Sequence, residues 1–270
     1  MKAEDCRRLV EALLPAVLAA AQIEMHHFKA GVKVTTKADT TPVTVADHEA
    51  EEVLTKALAE AAPGVPVIAE ESVAAGRVPE IAEKFFLVDP LDGTKAFINQ
   101  SPEFTINIGL VEHNEPVFGI IYAPAMGSFF ATLGPGHAVE AQLDPDAQAS
   151  FGDLELTPLA TRAPDDDGLI AFASRSHAGQ STEEFLQRLT IKEKRKASSS
   201  LKFGLIARGE ADLYARLGQT SEWDTAAGHA ILAAAGGSVT TLDGAPLRYG
   251  KAEARFANPQ FVAWAGKPLL

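Results

Sequence analysis

The sequence predicts an α+β fold with mixed sheets, arranged as two layered halves. In the first half, a helical stretch over residues 3–29 precedes short apolar runs separated by turn residues, which predict strands, among them two hairpins over residues 104–122 and 128–141. In the second half, from residue 169 to residue 264, apolar runs and helical patterns alternate, and a single helix is predicted over residues 221–235, where a Gly-Gly pair ends it. A polar stretch over residues 144–167 separates the two, so we predict an N-terminal half of residues 1–155 and a C-terminal half of residues 156–270.

The composition indicates a reducing compartment. The chain has 270 residues, 46% of them apolar, which is enough for a sizeable core. Its single cysteine, Cys6, excludes an internal disulfide framework. Glu4, Asp5 and Glu11 interrupt the apolar N-terminal stretch, so we expect neither a signal peptide nor a transmembrane segment. We therefore predict a cytoplasmic protein, with peripheral association at an inner membrane as the alternative.

The net charge restricts the partners. With 24 basic and 36 acidic residues the chain carries −12, which argues against a nucleic-acid polymer as partner. An acidic protein can bind an anionic phosphate only through local charge, supplied by metal ions, helix N-termini or a few placed Lys and Arg side chains.

The clearest functional signal is segment 89–94 (DPLDGT), which follows an apolar strand over residues 85–88. Because Pro90 has no N–H for a sheet ladder, we expect the strand to end there. Asp89 would then lie at the carboxyl end of the strand and Asp92 in a tight turn three residues on, just before a helix that begins near Thr94. Two carboxylates that share a divalent cation, beside a helix N-terminus, predict a site for a metal-bound phosphate. The alternative is an Asp-rich turn closed by a local side-chain hydrogen bond.

Two further acids have the spacing to join this site. Asp47 lies three residues after Thr44, so it is either the acid of a helix capping box or an acid aimed into the cleft of Asp89. Glu70 follows a predicted strand over residues 65–69, and ligands of open α/β sheets gather at the carboxyl ends of strands. The alternative for Glu70 and its neighbour Glu71 is a solvated surface pair.

Four separated motifs, in order, resemble the lithium-sensitive, magnesium-dependent phosphomonoesterase superfamily. They are Asp47, the pair 70–71, segment 89–94, and Trp223-Asp224 with eleven residues between it and a Gly-Gly pair. Inositol monophosphatases, fructose-1,6-bisphosphatases and 3′(2′),5′-bisphosphate nucleotidases belong to it, and the resemblance covers residues 37–263. It implies a layered αβαβα sugar-phosphatase-like fold, two or three Mg²⁺ ions and inhibition by Li⁺, and it is compatible with a homodimer.

Within this superfamily, the sequence resembles the bacterial bisphosphate nucleotidases. The resemblance is carried by residues 92–98 (DGTKAFI), 174–177 (SRSH), 199–203 (SSLKF) and 222–229 (EWDTAAGH). Ala96 departs from it, since Glu is commoner there. The implied reaction removes the 3′-phosphate of adenosine 3′,5′-bisphosphate, a by-product of sulfate activation, to give AMP and phosphate, and the sulfated nucleotide PAPS is a further implied substrate.

The same resemblance implies roles for the acids. Asp89 would bridge two metal ions; Glu70 and the Leu91 carbonyl would complete one, and Asp92 and Asp224 the other. These hard oxygen ligands are the kind that Mg²⁺ prefers.

The resemblance also implies how water and substrate are held. Thr94, supported by Asp47, would orient the attacking water, and the N–H groups of Gly93 and Thr94 would hold phosphate oxygens. The residues it places against the substrate at the metal end are Glu70, Leu91, Asp92, Gly93, Thr94 and Asp224.

Recognition of the second phosphate and the nucleoside is implied for four residues of the C-terminal half: His177, Ser199, Lys202 and Arg216. A second phosphate needs compensating charge that the metal ions do not supply, which favours Lys202 and Arg216. A solvated surface cation is the alternative for each of these two residues.

Three other functions are alternatives to the bisphosphate nucleotidase. An inositol monophosphatase or related sugar phosphatase would share the fold and the metal site. A non-catalytic phosphometabolite-binding protein would be expected to have lost a metal ligand, and none is missing from the motifs. A doubly wound nucleotide-binding module is disfavoured because the chain has neither G-x-G-x-x-G nor a P-loop.

Overall fold

The computed structural model describes residues 1–31, 34–36, 42–174 and 180–269. The predicted substrate residue His177 lies outside them. Seven α-helices lie in the described residues: α1 (Ala3–Ala30), α2 (Val45–Ala61), α3 (Glu70–Ala74), α4 (Thr94–Ile98), α5 (Gln180–Leu186), α6 (Leu201–Ala207) and α7 (Ala226–Ala234). Short 3₁₀ turns cover Phe151–Asp153, Glu222–Asp224 and Ala252–Ala254.

The strands of the described residues form three sheets. A small antiparallel hairpin joins β1 (Val34–Thr36) and β2 (Pro42–Thr44). The first large sheet contains β3 (Val67–Ala69), β4 (Lys84–Asp92), β5 (Thr105–Glu112), β6 (Glu115–Ala123), β7 (Ser128–Gly134), β8 (His137–Gln142) and β9 (Thr157–Pro158). The second contains β10 (Leu169–Ser174), β11 (Ile191–Ala197), β12 (Leu213–Arg216), β13 (Ser238–Thr241) and β14 (Phe261–Trp264).

Both large sheets are mixed, as predicted. The first runs in sequence order from β3 to β9, with β3 and β4 parallel and the later neighbours antiparallel. The second has the order β11-β10-β12-β14-β13, in which β10 is parallel to both of its neighbours. The hairpins β5–β6 and β7–β8 confirm the two predicted from the alternation of apolar runs and turn residues.

Three apolar cores hold five layers together. Helices α1 and α2 pack on one face of the first sheet, and helices α6 and α7 fill the space between its other face and the second sheet. Helix α5 covers the outer face of the second sheet through Phe185 and Leu186. Gly119 allows close contact of α7 with β6, because a Cβ there would lie 2.2 Å from the Ala227 carbonyl oxygen. The αβαβα architecture is thereby confirmed.

Helix α1 illustrates why an apolar N-terminal stretch belongs to a core. It continues through Pro15 and buries one face, including Cys6 and Leu13, against the first sheet and α2. By length and composition alone it could also cross a membrane, but half of its most apolar window is buried inside the protein, as in the core helices of globular enzymes. It is therefore weak evidence for a membrane span.

Strand β4 does not end at Pro90, contrary to the prediction. It continues to Asp92, and Asp89 pairs with Asn107 while Asp92 pairs with Thr105. Two residues of β4, Pro90 among them, therefore oppose a single residue of β5, which is a β-bulge. Pro90 is tolerated inside β4 because it lies in the bulge. The ladder of backbone hydrogen bonds is interrupted there, so the missing N–H leaves no bond unmade.

The C-terminal half differs from the prediction in two elements. Strand β11 was not predicted, since its sequence IKEKRKA is almost entirely charged, as an edge strand can be. The single helix predicted over residues 221–235 is a 3₁₀ turn at Glu222–Asp224 followed by α7. The division of the chain at residue 155 stays a prediction; β9, just beyond it, pairs with β8 of the first sheet.

Candidate active site

Three carboxylates converge where the two halves meet. Each of Glu70, Asp89 and Asp224 offers an oxygen within 4.8 Å of the others. Glu70 opens α3 directly after β3, and β3 runs parallel to β4, so both strands deliver an acid at the same edge of the sheet. Asp224 comes from the other half, on the 3₁₀ turn before α7, where its carboxylate accepts the Ser221 N–H at 2.9 Å.

The bulge in β4 decides where Asp92 points. In a regular strand, residues three apart lie on opposite faces, so Asp89 and Asp92 would diverge. With one extra residue inserted, both acids instead pair with alternate residues of β5, Asn107 and Thr105, and share the face that meets the C-terminal half. Backbone geometry, rather than a tight turn, therefore brings the second aspartate to the site.

Burial and mutual repulsion destabilise the charged forms of these acids. Burial raises the pKa of Asp89 well above its usual range, and the charges of Glu70 and Asp92 raise it further. The pKa of Asp224 is raised by burial, then by Asp92 and Glu70. Burial also raises the pKa of Asp92 to about 6, although the Lys202 charge and the Ser200 N–H oppose the shift.

The donor set fits a divalent cation. Several carboxylates packed this closely need a nearby positive charge to remain ionised together, and hard oxygen ligands suit Mg²⁺ or a similar ion. The three converging acids could hold such an ion, with Asp92 beside them.

Thr94 and Asp47 lie beside this cluster and contact each other. Gly93, in the left-handed region at φ +96°, is the N-cap of α4, and a Cβ there would lie 2.3 Å from the Ser199 hydroxyl. The Thr94 hydroxyl lies 3.4 Å from Asp47 Oδ1 and 3.3 Å from the Leu91 carbonyl oxygen.

The capping box predicted for Asp47 is present, and its role in the cleft stays a prediction. Its Oδ2 accepts the Thr44 N–H at 2.8 Å and the Thr44 hydroxyl at 2.6 Å, which is the predicted capping box of α2. Its other oxygen faces Thr94. The capping box thus fixes the carboxylate while leaving one oxygen directed at the site.

A cationic region faces the acids across the cavity. Lys202 is buried, and its ammonium donates to the carbonyl oxygens of Ser199 at 2.6 Å and Ala197 at 3.3 Å and lies over the Tyr214 ring. Burial lowers the pKa of Lys202 to about 8, against the opposing effect of Asp92. Lys202 is therefore a buried cation and not the solvated surface residue of the alternative interpretation.

Arg216 also lines this region, at the end of β12. Its Nη2 donates to the Gln219 carbonyl oxygen at 3.0 Å, and its buried Nε has no hydrogen-bond partner among the described residues. A buried, unpartnered donor beside a cavity suits an anionic ligand.

All but two of the predicted site residues line one cavity of about 280 Å³. Asp47 lies behind Thr94, and His177 is outside the described residues. The cavity is lined by Glu70, Asp89, Leu91, Asp92, Gly93, Thr94, Ser199, Lys202, Arg216 and Asp224, together with Ser198, Ser200, Tyr214, Gln219, Thr220, Thr225 and several others.

The residues that hold the turn before α6 were not predicted from the sequence. Ser200 donates its N–H to Asp92 Oδ2 at 2.6 Å and its hydroxyl to Asn107, and Glu103 accepts the Ser198 N–H at 2.9 Å. A signal was present: Thr105 and Asn107 are polar residues at alternate positions of an otherwise apolar strand. Buried polar side chains on one face of a strand indicate a hydrogen-bonding partner opposite them.

Comparison with known proteins agrees with this geometry. Residues 5–267 match the inositol monophosphatase family. The 3′(2′),5′-bisphosphate nucleotidase CysQ of Escherichia coli (strain K12) is 41% identical over 228 residues, which cover 84% of this chain and 87% of that protein.

Solved structures give the same result. The crystal structure of CysQ from Bacteroides thetaiotaomicron is similar, with a TM-score of 0.76 and 33% identity, over 95% of this chain and 97% of that one. The inositol monophosphatase from Anabaena (Nostoc) sp. PCC 7120 shares the fold, with a TM-score of 0.71 and 23% identity, over 95% and 90% of the two chains. The predicted resemblance is confirmed: this chain belongs to the inositol monophosphatase family.

Proposed function

We propose that this protein is a Mg²⁺-dependent 3′(2′),5′-bisphosphate nucleotidase that converts adenosine 3′,5′-bisphosphate to AMP and phosphate. The observation that carries the proposal is a single cavity with acids at one end and two buried or half-buried cations at the other. A substrate with two phosphates matches this polarity, since one phosphate would bind beside the metal site and the second beside Lys202 and Arg216. The similarity to CysQ nucleotidases supports the same substrate class.

At the acidic end we propose that Glu70, Asp89, Asp92, Asp224 and the Leu91 carbonyl hold two or three Mg²⁺ ions. Bound Mg²⁺ would neutralise charge on the phosphate and lower the pKa of water, which is what hydrolysis of a phosphate monoester dianion requires. The N–H groups of Gly93 and Thr94 would hold phosphate oxygens.

The attacking water would be oriented by Thr94. In the proposed arrangement the Thr94 hydroxyl accepts a hydrogen bond from the water and donates its own proton to Asp47 Oδ1, with which it is already in contact at 3.4 Å. Because Asp47 is fixed by its capping box, this pair can hold a lone pair of the water toward the phosphorus without reorganising. Attack in line with the departing ribose oxygen then needs no covalent intermediate on the enzyme.

At the cationic end we propose that Lys202, Arg216, Ser199 and His177 recognise the second phosphate and the nucleoside. Lys202 already donates to two backbone carbonyls, which leaves one N–H of the ammonium for a phosphate oxygen. The Arg216 Nε is a second unused donor among the described residues. PAPS, which also carries a 3′-phosphate, is a further proposed substrate.

The deciding experiment measures phosphate release from adenosine 3′,5′-bisphosphate, inositol 1-phosphate and fructose 1,6-bisphosphate side by side with Mg²⁺. We expect the highest kcat/KM on the nucleotide, and inhibition by Li⁺ with Na⁺ as the control. A preference for inositol 1-phosphate would replace this proposal with that of an inositol monophosphatase, which the family permits. No turnover of any of the three would favour a phosphometabolite-binding protein.

A further inference from the structure

The turn before α6 is fastened to the first sheet by a ring of three hydrogen bonds. The Ser200 hydroxyl donates to Asn107 Oδ1 at 2.5 Å, and the Asn107 amide donates to the Thr105 hydroxyl at 3.4 Å. The third contact joins the hydroxyls of Thr105 and Ser200 at 2.8 Å. Since the only hydroxyl proton of Ser200 is directed to Asn107, Thr105 must donate in this contact, so the ring runs in one direction and each hydroxyl both donates and accepts.

The ring lies beside two of the proposed metal ligands. Thr105 and Asn107 are buried on β5, on the face that meets the C-terminal half, and their cross-strand partners are Asp92 and Asp89. Ser200, whose hydroxyl is part of the ring, also donates its backbone N–H to Asp92 Oδ2 at 2.6 Å. The position of this N–H, and so of the Asp92 carboxylate, is thereby tied to Thr105 and Asn107 of β5.

The same turn carries groups from the cationic end of the cavity. Ser199 adopts a left-handed φ of +54°, and its hydroxyl contacts the carbonyl oxygens of Asp92 and Glu103 at 3.0 and 3.1 Å. Its own carbonyl accepts the Lys202 ammonium. A serine in this backbone region is strained and persists only where its surroundings hold it, and such strain gathers at functional sites.

We propose that Ser200, with Thr105 and Asn107, forms a positioning unit that sets the Asp92 carboxylate for metal binding and fixes the Ser199–Lys202 turn relative to it. The inference rests on the proposed role of Asp92 as a metal ligand. The three residues act through Asp92 and the turn, and need not contact substrate. Outer hydrogen-bond partners of metal ligands commonly change metal affinity or activity by about 10–100-fold when removed.

The test compares variants that open the ring with variants that keep it. Ser200→Ala removes the hydroxyl but keeps the N–H that bonds Asp92, and Thr105→Val removes a hydroxyl with almost no change of shape. Thr105→Ser keeps the hydroxyl and is the matched control for Thr105→Val. Ser238→Ala removes one hydroxyl with one hydrogen bond, to the Gly266 carbonyl, in strand β13 of the second sheet, and controls for a general loss of stability.

Mg²⁺ affinity is measured by calorimetric titration without substrate, and stability by urea unfolding in EDTA. We expect Ser200→Ala and Thr105→Val each to weaken Mg²⁺ binding about tenfold or more, and the double variant to be little worse than either, because both open the same ring. Thr105→Ser and Ser238→Ala should bind Mg²⁺ like the wild type. If Ser200→Ala does not fold, the Mg²⁺ affinities of Thr105→Val and Thr105→Ser are compared alone, and that comparison tests the inference.

Two results would overturn the inference. One is a loss of stability in the ring-opening variants with unchanged Mg²⁺ affinity, which would make the ring a purely structural contact between the halves. The other is a wild-type protein that binds no Mg²⁺. Because substrate is absent from the titration, a tenfold loss supports the inference whichever phosphate ester the enzyme prefers, so the outcome is separate from that of the nucleotidase assay.

Discussion

The two ends of the cavity carry opposite charges and are neutralised in different ways. At the acidic end, buried carboxylates repel one another, and their raised pKa values show that the fold alone does not compensate them. At the cationic end, the Lys202 ammonium already has two carbonyl acceptors and an aromatic face, and Arg216 has one carbonyl acceptor. The acidic end therefore needs a bound cation, whereas the cationic end already has carbonyl acceptors and keeps one buried donor, the Arg216 Nε, without a partner among the described residues. We expect changes at the first to affect all substrates, and changes at the second only those with two phosphates.

The largest effect is expected for Asp89→Asn, which removes charge from the centre of the acidic end without removing volume. Turnover should fall by more than about 10³-fold, beyond the about 10–100-fold of outer hydrogen-bond partners, because a proposed bridging ligand is lost. Steady-state kinetics with saturating Mg²⁺ would measure this. Asp146→Asn, at an exposed residue, is the control. If Asp89→Asn kept more than about a tenth of the wild-type kcat, a loss under ~1.4 kcal/mol, Asp89 would not bridge two metal ions.

The next largest effect is expected for the two residues that are proposed to orient the attacking water. Thr94→Ala and Asp47→Asn should each lower kcat by about 10²-fold with little change in KM, because they position a nucleophile and not the substrate. The double variant should resemble the singles if the pair acts as one unit. Because Asp47 also caps α2, urea unfolding separates the two roles. A loss of stability without a loss of kcat would leave Asp47 with the capping role alone.

At the cationic end, Lys202→Met keeps most of the side-chain volume and removes the charge. It should lower kcat/KM for adenosine 3′,5′-bisphosphate by ~1.5–3 kcal/mol, the usual scale of hydrogen bonds to charged groups. For adenosine 3′-monophosphate, which lacks the 5′-phosphate, the change should be small. Comparing the losses of kcat/KM for the two substrates removes any structural effect of the substitution that both share, including the loss of the bonds from Lys202 to Ser199 and Ala197. Equal losses on both substrates would remove Lys202 from phosphate recognition.

The smallest expected effect is a pH dependence of the stabilisation by Mg²⁺, which tests whether the buried carboxylates need a compensating cation. In metal-free protein the pKa of Asp92 is about 6, above the ordinary 3.8, so the native state binds this proton more tightly than the unfolded state does. The stability contributed by protonated Asp92 is complete below about pH 4 and is lost as pH rises through about 6. Since protons and Mg²⁺ compete for the same oxygens, Mg²⁺ should stabilise the protein by about 1–3 kcal/mol more at pH 7.5 than at pH 5.

Urea unfolding at the two pH values, with Mg²⁺ or with EDTA at equal ionic strength, measures this increment. Asp92→Asn is the informative variant, because it removes one of the competing protons. The stabilisation by Mg²⁺ should therefore differ less between the two pH values in this variant than in the wild type. A Mg²⁺ increment that did not depend on pH would contradict the view that buried carboxylates are neutralised by the metal ion.

The sequence by itself determined the elements whose signals are local. Apolar runs bounded by turn residues gave the two hairpins of the first sheet, and the Thr44–Asp47 spacing gave the capping box, because strand alternation and helix capping depend on neighbours within a few residues. The order of the motifs gave the family. Local signals failed at β11, where a charged edge strand is held by pairing with β10 and not by an apolar pattern of its own.

Only the tertiary structure decided how the site is assembled. The bulge that turns Asp92 to the face of Asp89 depends on the register of β4 against β5, which the segment DPLDGT does not contain. The ring of Ser200, Thr105 and Asn107 depends on contacts between residues about a hundred positions apart, and Lys202 is buried although the sequence alone allowed a solvated cation. Register, burial and long-range hydrogen bonds arise when separate segments pack against each other, so the motifs identify the residues while the packing of the two halves sets their geometry.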